Sequence, residues 1–332
     1  MVRFLTGMAT GGLVIFTLWV TFWAGQLGRP HPNNEWIIES INYKQKIADA
    51  LPSPKIVVLA GSGAMFGVNS TYLEETYDRP AVNLGVNAGI SLPVILSSAE
   101  NSIRSGDLVL LPLEYPLYNR EEAVSSSLIH WANSYPSTLL QLPLKRTLEV
   151  FAKTSFTRIL EGYRGLPEGF TVSGDYGVQH QNEHGDQIGT ERAQREERHW
   201  NFLNSLPAET YGKALQEGSF DWERLRRFRD ELLAKGACPV FLPPPMLFQR
   251  SYVDSFTEAH FYETLPHIAT AEGLFWVGKP RAAMRDANDF FDTNFHLVDE
   301  ARLNYTKQLI GWLGSEPMAR CEQFYHSLKA TS

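Results

Sequence analysis

Residues Lys55–Asn69 read KIVVLAGSGAMFGVN. From Lys55 to Ala60 the run is strand-like and continuously apolar behind its first residue, the pattern of a strand covered on both faces. It stops at Gly61-Ser62-Gly63. Two chemistries begin that way. Ser62 can be a nucleophile held on a sharp turn, or Gly61, Gly63 and Gly67 can form a phosphate-binding loop.

The segments around this stretch alternate. Residues 70–77 read as a helix, 81–86 (AVNLGV) as a second strand, 91–103 as a helix, and 108–115 (LVLLPLEY) as a third strand. This is the β-α-β-α-β rhythm of a doubly wound parallel sheet, the α/β class. The rhythm breaks over about 118–215, which reads as an inserted helical and loop subdomain. It resumes with a helix at 221–236, a strand at 238–242, a strand at 273–280 and a closing helix at 297–315, for about five parallel strands.

Ahead of the sheet, residues 4–27 carry no charge, enough to cross a bilayer with some tilt. Trp19 and Trp23 near the far end suit an interfacial anchor. No A-x-A cleavage site follows, so an uncleaved anchor is expected rather than a signal peptide. The organisation is therefore an anchor over 1–28, a juxtamembrane linker and helix over 29–54, and a main domain over 55–332.

The whole chain has 332 residues and a formal net charge of −7. No basic face or tail is visible, which argues against nucleic acid as a partner. Cys238 and Cys321 match no zinc spacing, and whether they pair is open. His180, Glu183 and His184 read as a polar loop rather than metal ligands.

The glycine reading lacks its second half. A dinucleotide site needs an acidic residue near the end of the second strand for the ribose hydroxyls. Here that strand ends in Asn83-Leu84-Gly85, and bulky Met65-Phe66 sits where a pyrophosphate would approach. The serine reading finds its partners. A nucleophilic Ser needs a base, and the base needs an orienting group. The stretch DANDFFDTNFHLVDEA (286–301) supplies His296 on the loop before the last helix and Asp292 four residues earlier, with Asp286 and Asp289 as further candidates. The loop NLGVNAG (83–89) has the glycines, Gly85 and Gly89, for backbone oxyanion donors, with Asn87 between them.

On these motifs the chain resembles the SGNH (GDSL-like) hydrolase superfamily, in particular its bacterial membrane-anchored branch related to alginate O-acetylation and D-alanylation accessory proteins. The resemblance covers roughly 55–115 and 238–315. The usual Gly-Asp-Ser is GSG here, with Ser62 kept. The usual Asp-x-x-His is DTNFH, with one extra residue. The usual Gly-x-Asn-Asp after the third strand is absent, and PLEYPLY with Glu114 stands there.

The resemblance implies an SGNH-type, flavodoxin-like sheet and acyl ester chemistry on a cell-envelope glycan, by an esterase or O-acyltransferase. Ser62 would attack, His296 serve as base and acid, Asp292 orient the ring, and the Gly85/Gly89 loop bind the oxyanion. No metal, nucleotide or other cofactor is implied. The partners implied are an acyl ester or glycan substrate, the inner membrane, and a multi-pass membrane acyltransferase, with the domain outside the cytoplasm. A non-catalytic accessory subunit using the same groove is the alternative, and a dinucleotide-binding enzyme the third reading.

Overall fold

Apolar strands with no polar face need cover on both sides, and the sheet here is built of them. A computed structural model describes residues 2–331, with side chains described for residues 4–328. It is a mixed α/β structure whose main sheet has four parallel strands, β1 (Ile56–Val58), β2 (Ala81–Asn83), β3 (Leu108–Leu111) and β4 (Cys238–Phe241), in the order β2-β1-β3-β4. Every residue of these strands is buried. The strand expected over 273–280 pairs with β4 only through one parallel bridge, Phe241 to Trp276, flanked by Phe241 N–H to Phe275 O at 2.8 Å and Val277 N–H to Phe241 O at 2.9 Å. The expected five-stranded sheet is thus four strands and a bridge. Gly278, with φ of +88°, turns the chain away directly after it.

The opening stretch begins with a lysine because β1 and β3 share a buried ion pair at their amino ends. Lys55 Nζ lies 3.0 Å from Asp107 Oδ2, and both side chains are fully buried. Asp107 Oδ1 also accepts the Lys55 N–H at 3.0 Å, which fixes the register of the two strands.

A second pair of parallel strands, β5 (Met246–Leu247) and β6 (Met284–Arg285), lies beyond the main sheet. A disulfide, Cys238–Cys321, joins the first residue of β4 to the helix Pro317–Thr331, an element the sequence reading did not anticipate.

The chain divides into two compact units, residues 1–36 with 123–172, and residues 37–122 with 173–332. The insertion expected over 118–215 is therefore divided. Residues 123–172 belong with the N-terminal helix, and residues 118–122 and 173–215 with the sheet. In the first unit, the helix Val2–Ala24 contains a span, Phe4–Ala24, long and apolar enough to cross a membrane. Its C-terminal third packs on the helices Leu144–Lys153 and Phe156–Arg164 through ring contacts such as Trp23 with Phe151 and Phe22 with Tyr163. The Asn133 side-chain oxygen accepts from both Trp23 Nε1 (2.9 Å) and Gln26 Nε2 (2.6 Å).

Candidate active site

In the second unit, the strand order reverses between β1 and β3, so the crevice at their carboxyl ends is where an open α/β sheet holds ligands. Ser62 follows β1 there and opens a short helix, Ser62–Gly67. Glu114 follows β3, the neighbouring strand. The two glycines beside Ser62 are explained by this proximity. Glu114 Oε2 accepts the Gly61 N–H at 2.9 Å and Oε1 accepts the Gly63 N–H at 2.6 Å. A Cβ on Gly61 would lie 2.6 Å from Glu114 Oε1 and from the Ala88 side chain, and one on Gly63 would lie 2.8 Å from Glu114 Oε1. Only glycine lets the carboxylate sit this close on both sides of Ser62.

That carboxylate also bears on the phosphate-loop reading. Two amides that a phosphate would need are already given to an anion, and a second anion there would be repelled. Asn83, at the end of β2, is fully buried and bonded inward, to Ala64 O and Asp186 Oδ1, both at 2.9 Å.

Burial pushes the Glu114 pKa up, and the amides it accepts work against that shift. Glu114→Gln puts an NH₂ group against one of the two glycine amides and leaves a buried donor without an acceptor. The expected loss of stability is about 1–3 kcal/mol, read from chemical denaturation of the two proteins side by side. Equal stability would mean that the carboxylate does not hold the turn.

His296 reaches Ser62 through a closed loop. A bridge between Phe290 and Leu297, with Phe291 N–H to His296 O at 2.7 Å, ties the ends of residues 290–297 together. The loop absorbs the extra residue in DTNFH by folding Asp292 back onto the ring. Asp292 Oδ1 lies 2.7 Å from His296 Nδ1, and His296 Nε2 lies 2.7 Å from Ser62 Oγ. The His296 ring lies flat on Phe66, with centroids 3.9 Å apart and planes 5° from parallel. The bulky residue that obstructs a pyrophosphate thus serves as a platform for the imidazole.

An ionised carboxylate only accepts hydrogen bonds, so it selects the tautomer with the proton on Nδ1 and leaves Nε2 to accept from the Ser62 hydroxyl. His296 and Asp292 are buried, and Ser62 is half-buried. Burial alone would raise the Asp292 pKa. His296, and a hydrogen bond donated by the Tyr176 hydroxyl to Oδ2, outweigh it and hold the carboxyl below its ordinary value. Burial and the adjacent carboxylate push the Tyr176 phenol up, so it stays a donor. Asp289 faces away from the ring, with Oδ1 3.4 Å from Arg192. Asp286 precedes a short 3₁₀ turn and accepts the Asp289 N–H through its backbone oxygen.

The oxyanion donors expected at Gly85 and Gly89 are already engaged. Gly85 N–H donates to Asn83 Oδ1 at 3.0 Å, and Gly89 N–H donates to Asn87 Oδ1 at 2.6 Å. Gly85 packs behind the Ser62 helix, where a Cβ would lie 2.7 Å from Gly61 O and 2.9 Å from Met65 N. Its glycine requirement is therefore steric. Two other donors are free. Among the described residues, the Ser62 N–H and the Asn87 side-chain NH₂ have no hydrogen-bond partner. Ala88, next to Asn87, is the residue that a Cβ on Gly61 would strike.

Beneath the Ser62 helix, Lys44 and Asp186 are both buried. Lys44 Nζ donates to Gly85 O. Asp186 accepts from Ser70 N (2.7 Å), Ser70 Oγ (2.8 Å) and Asn83 Nδ2 (2.9 Å). Burial pushes the Lys44 pKa down to about 7, against the pull of Asp186. An unfolded lysine titrates at ~10.4. Between these values the unfolded chain binds a proton that the fold does not, so this group makes stability rise with pH from about 7 to about 10. The slope is at most ~1.4 kcal/mol per pH unit. Lys44→Met should flatten that rise, as measured by denaturant midpoints from pH 6 to 10. An unchanged slope would show that Lys44 is not the titrating group.

Among the described residues, no group of three or more His, Cys, Asp or Glu is placed to hold a metal ion, and His184 Nδ1 lies instead 3.0 Å from Ala81 O. No protein-family model matches the chain, and no curated protein matches it significantly.

Proposed function

We propose that the protein is a membrane-anchored SGNH-like hydrolase or O-acyltransferase, acting on acyl esters of a cell-envelope glycan. The observation that carries this reading is the unbroken chain Ser62 Oγ–His296–Asp292, with 2.7 Å at each link, assembled from residues 234 positions apart. His296 Nε2 takes the Ser62 proton as Oγ attacks the ester carbonyl, and returns it to the leaving alcohol. Water or an acceptor hydroxyl then releases the acyl group by the same steps in reverse order. Asp292, held on its other side by Tyr176, keeps the ring oriented. The Ser62 N–H and the Asn87 amide serve as oxyanion donors in place of Gly85 and Gly89.

The anchor reading rests on the apolar span Phe4–Ala24. An extracytoplasmic location is supported by the disulfide, since such bonds persist in oxidising compartments. A glycan-modifying role beside a multi-pass acyltransferase follows from the SGNH-like motifs alone.

One observation favours a second reading, a non-catalytic accessory subunit. Glu114 takes up the amides of Gly61 and Gly63 on either side of the nucleophile, where a developing oxyanion would prefer a donor. A serine-directed fluorophosphonate separates the two. The hydrolase reading expects labelling of Ser62 in the wild-type protein and none in Ser62→Ala or His296→Ala. Absence of labelling on a folded wild-type protein selects the accessory subunit.

A further inference from the structure

The first unit is built inside out in one place. Helix Leu144–Lys153 turns Leu144 (74% exposed) and Leu148 (57%) outward and Arg146 (8%) inward. Helix Phe156–Arg164 leaves Phe156 56% exposed and buries Arg158 at 2%. Arg158 donates there to Gln26 Oε1 at 2.9 Å and Ser134 Oγ at 3.2 Å, while its Nε is buried without an acceptor among the described residues. Leu144 and Leu148 stand one turn apart, on one face. Water-soluble surfaces show the opposite preference, with leucine in and arginine out.

The neighbouring span tells what covers this face. Residues 4–15 run ahead of the first ring contact and rise only about 18 Å at 1.5 Å per residue. A bilayer's hydrocarbon core is about 30 Å thick. For the span to cross, residues 16–23 must lie in the bilayer as well. Phe16 packs on Phe151 with centroids 6.3 Å apart, Trp19 on Phe156 at 6.4 Å, and Phe22 on Tyr163 at 5.2 Å. Whatever depth these span residues have, Phe151, Phe156 and Tyr163 share. Charge agrees with this placement. Between residues 144 and 165 the exposed charges are Lys145, Lys153 and Arg164, against half-buried Glu149 and Glu161, a small positive excess that suits anionic headgroups. The Arg29 guanidinium lies 5.2 Å over the Tyr163 ring, an aromatic-cation pair of the kind found at headgroup level.

We propose that residues 140–164 form a second membrane contact, two amphipathic helices whose Leu144, Leu148 and Phe156 face enters the headgroup–acyl boundary of the bilayer that the span crosses. The proposal rests on the anchor reading above. It adds that the first unit is seated on phospholipid and does not hang from a free tether.

Spin labels on the full-length protein test it, in vesicles of phosphatidylethanolamine and phosphatidylglycerol. Labelling without reductant spares the Cys238–Cys321 pair. Leu13→Cys reports the span, Leu148→Cys and Leu144→Cys report the proposed face, and Lys153→Cys the side away from it. Collision with oxygen against a water-soluble nickel complex gives the depth of each label. The expected result is Leu13 in hydrocarbon, Leu144 and Leu148 roughly 5–10 Å below the headgroups, and Lys153 in water. Leu13 in hydrocarbon with both leucine labels open to nickel overturns the lipid contact and leaves the anchor standing. Leucine labels shielded from both relaxants mean a protein partner or second copy covers the face, which also overturns it. Leu13 open to nickel removes the anchor itself, and the proposal with it.

Discussion

Ser62→Ala should lower the turnover of an activated aryl ester by about 10⁴-fold or more, and His296→Ala by a similar factor, because members of such a unit fail together. The double variant should be little worse than either single one. That non-additivity separates a coupled nucleophile and base from two residues contributing independently. Ser62→Ala removes only a half-buried hydroxyl and should fold; His296→Ala removes a buried ring beside Asp292, so its melt is compared with that of the wild type. Asn87→Ala should cost on the order of 10²–10³ if its amide is an oxyanion donor, and nearly nothing if it serves only to cap Gly89. Progress curves of the wild type and the four variants on one substrate give these ratios. Additive losses at Ser62 and His296, or an active Ser62→Ala, would remove the nucleophile assignment.

Removing the disulfide should have the largest effect on stability. Cys238 and Cys321 are 83 positions apart and tie β4 to the C-terminal helix. Closing a loop of that length in the unfolded chain is worth about 4–5 kcal/mol on chain entropy alone. For a chain of this size, that corresponds to a fall in melting temperature on the order of 10 °C. The measurement is a melt of the full-length protein in detergent, as wild type with and without reductant, and as Cys238→Ala/Cys321→Ala. If the reductant leaves the wild-type melt unmoved while the double variant keeps the same midpoint, the two cysteines do not pair in the folded protein.

Much of the fold could be read from the sequence because buried parallel strands are continuous apolar runs and their ends are punctuated. IVVLA, AVN and LVLL needed no tertiary information, and Ser62 and His296 drew notice because each stands at a junction of that rhythm. The segment at 273–280 has the composition of a strand, yet pairs through a single bridge, and composition does not count hydrogen bonds. That the Gly85 and Gly89 amides are engaged has a local cause visible in the sequence. Asn83-Leu84-Gly85 and Asn87-Ala88-Gly89 repeat Asn-x-Gly, the spacing at which an Asn side chain accepts from the amide two residues on. Tyr176 could not be found in this way. It reaches Asp292 across 116 positions from a polar loop, with no periodicity to mark it. The division of the insertion did leave a trace, since Leu144, Leu148 and Phe151 follow helical spacing while Arg146 and Arg158 fall where a core residue is expected.

Position 61 is closed to a side chain from two strands at once. A Cβ there would come within 2.6 Å of Glu114 Oε1, after β3, and within 2.6 Å of the Ala88 side chain and 2.7 Å of its Cα, after β2. Shortening Glu114 alone therefore does not make room, because the Ala88 backbone still stands in the way. The turn that carries Ser62 is a keystone between two loops, and neither loop can be altered singly to let position 61 vary.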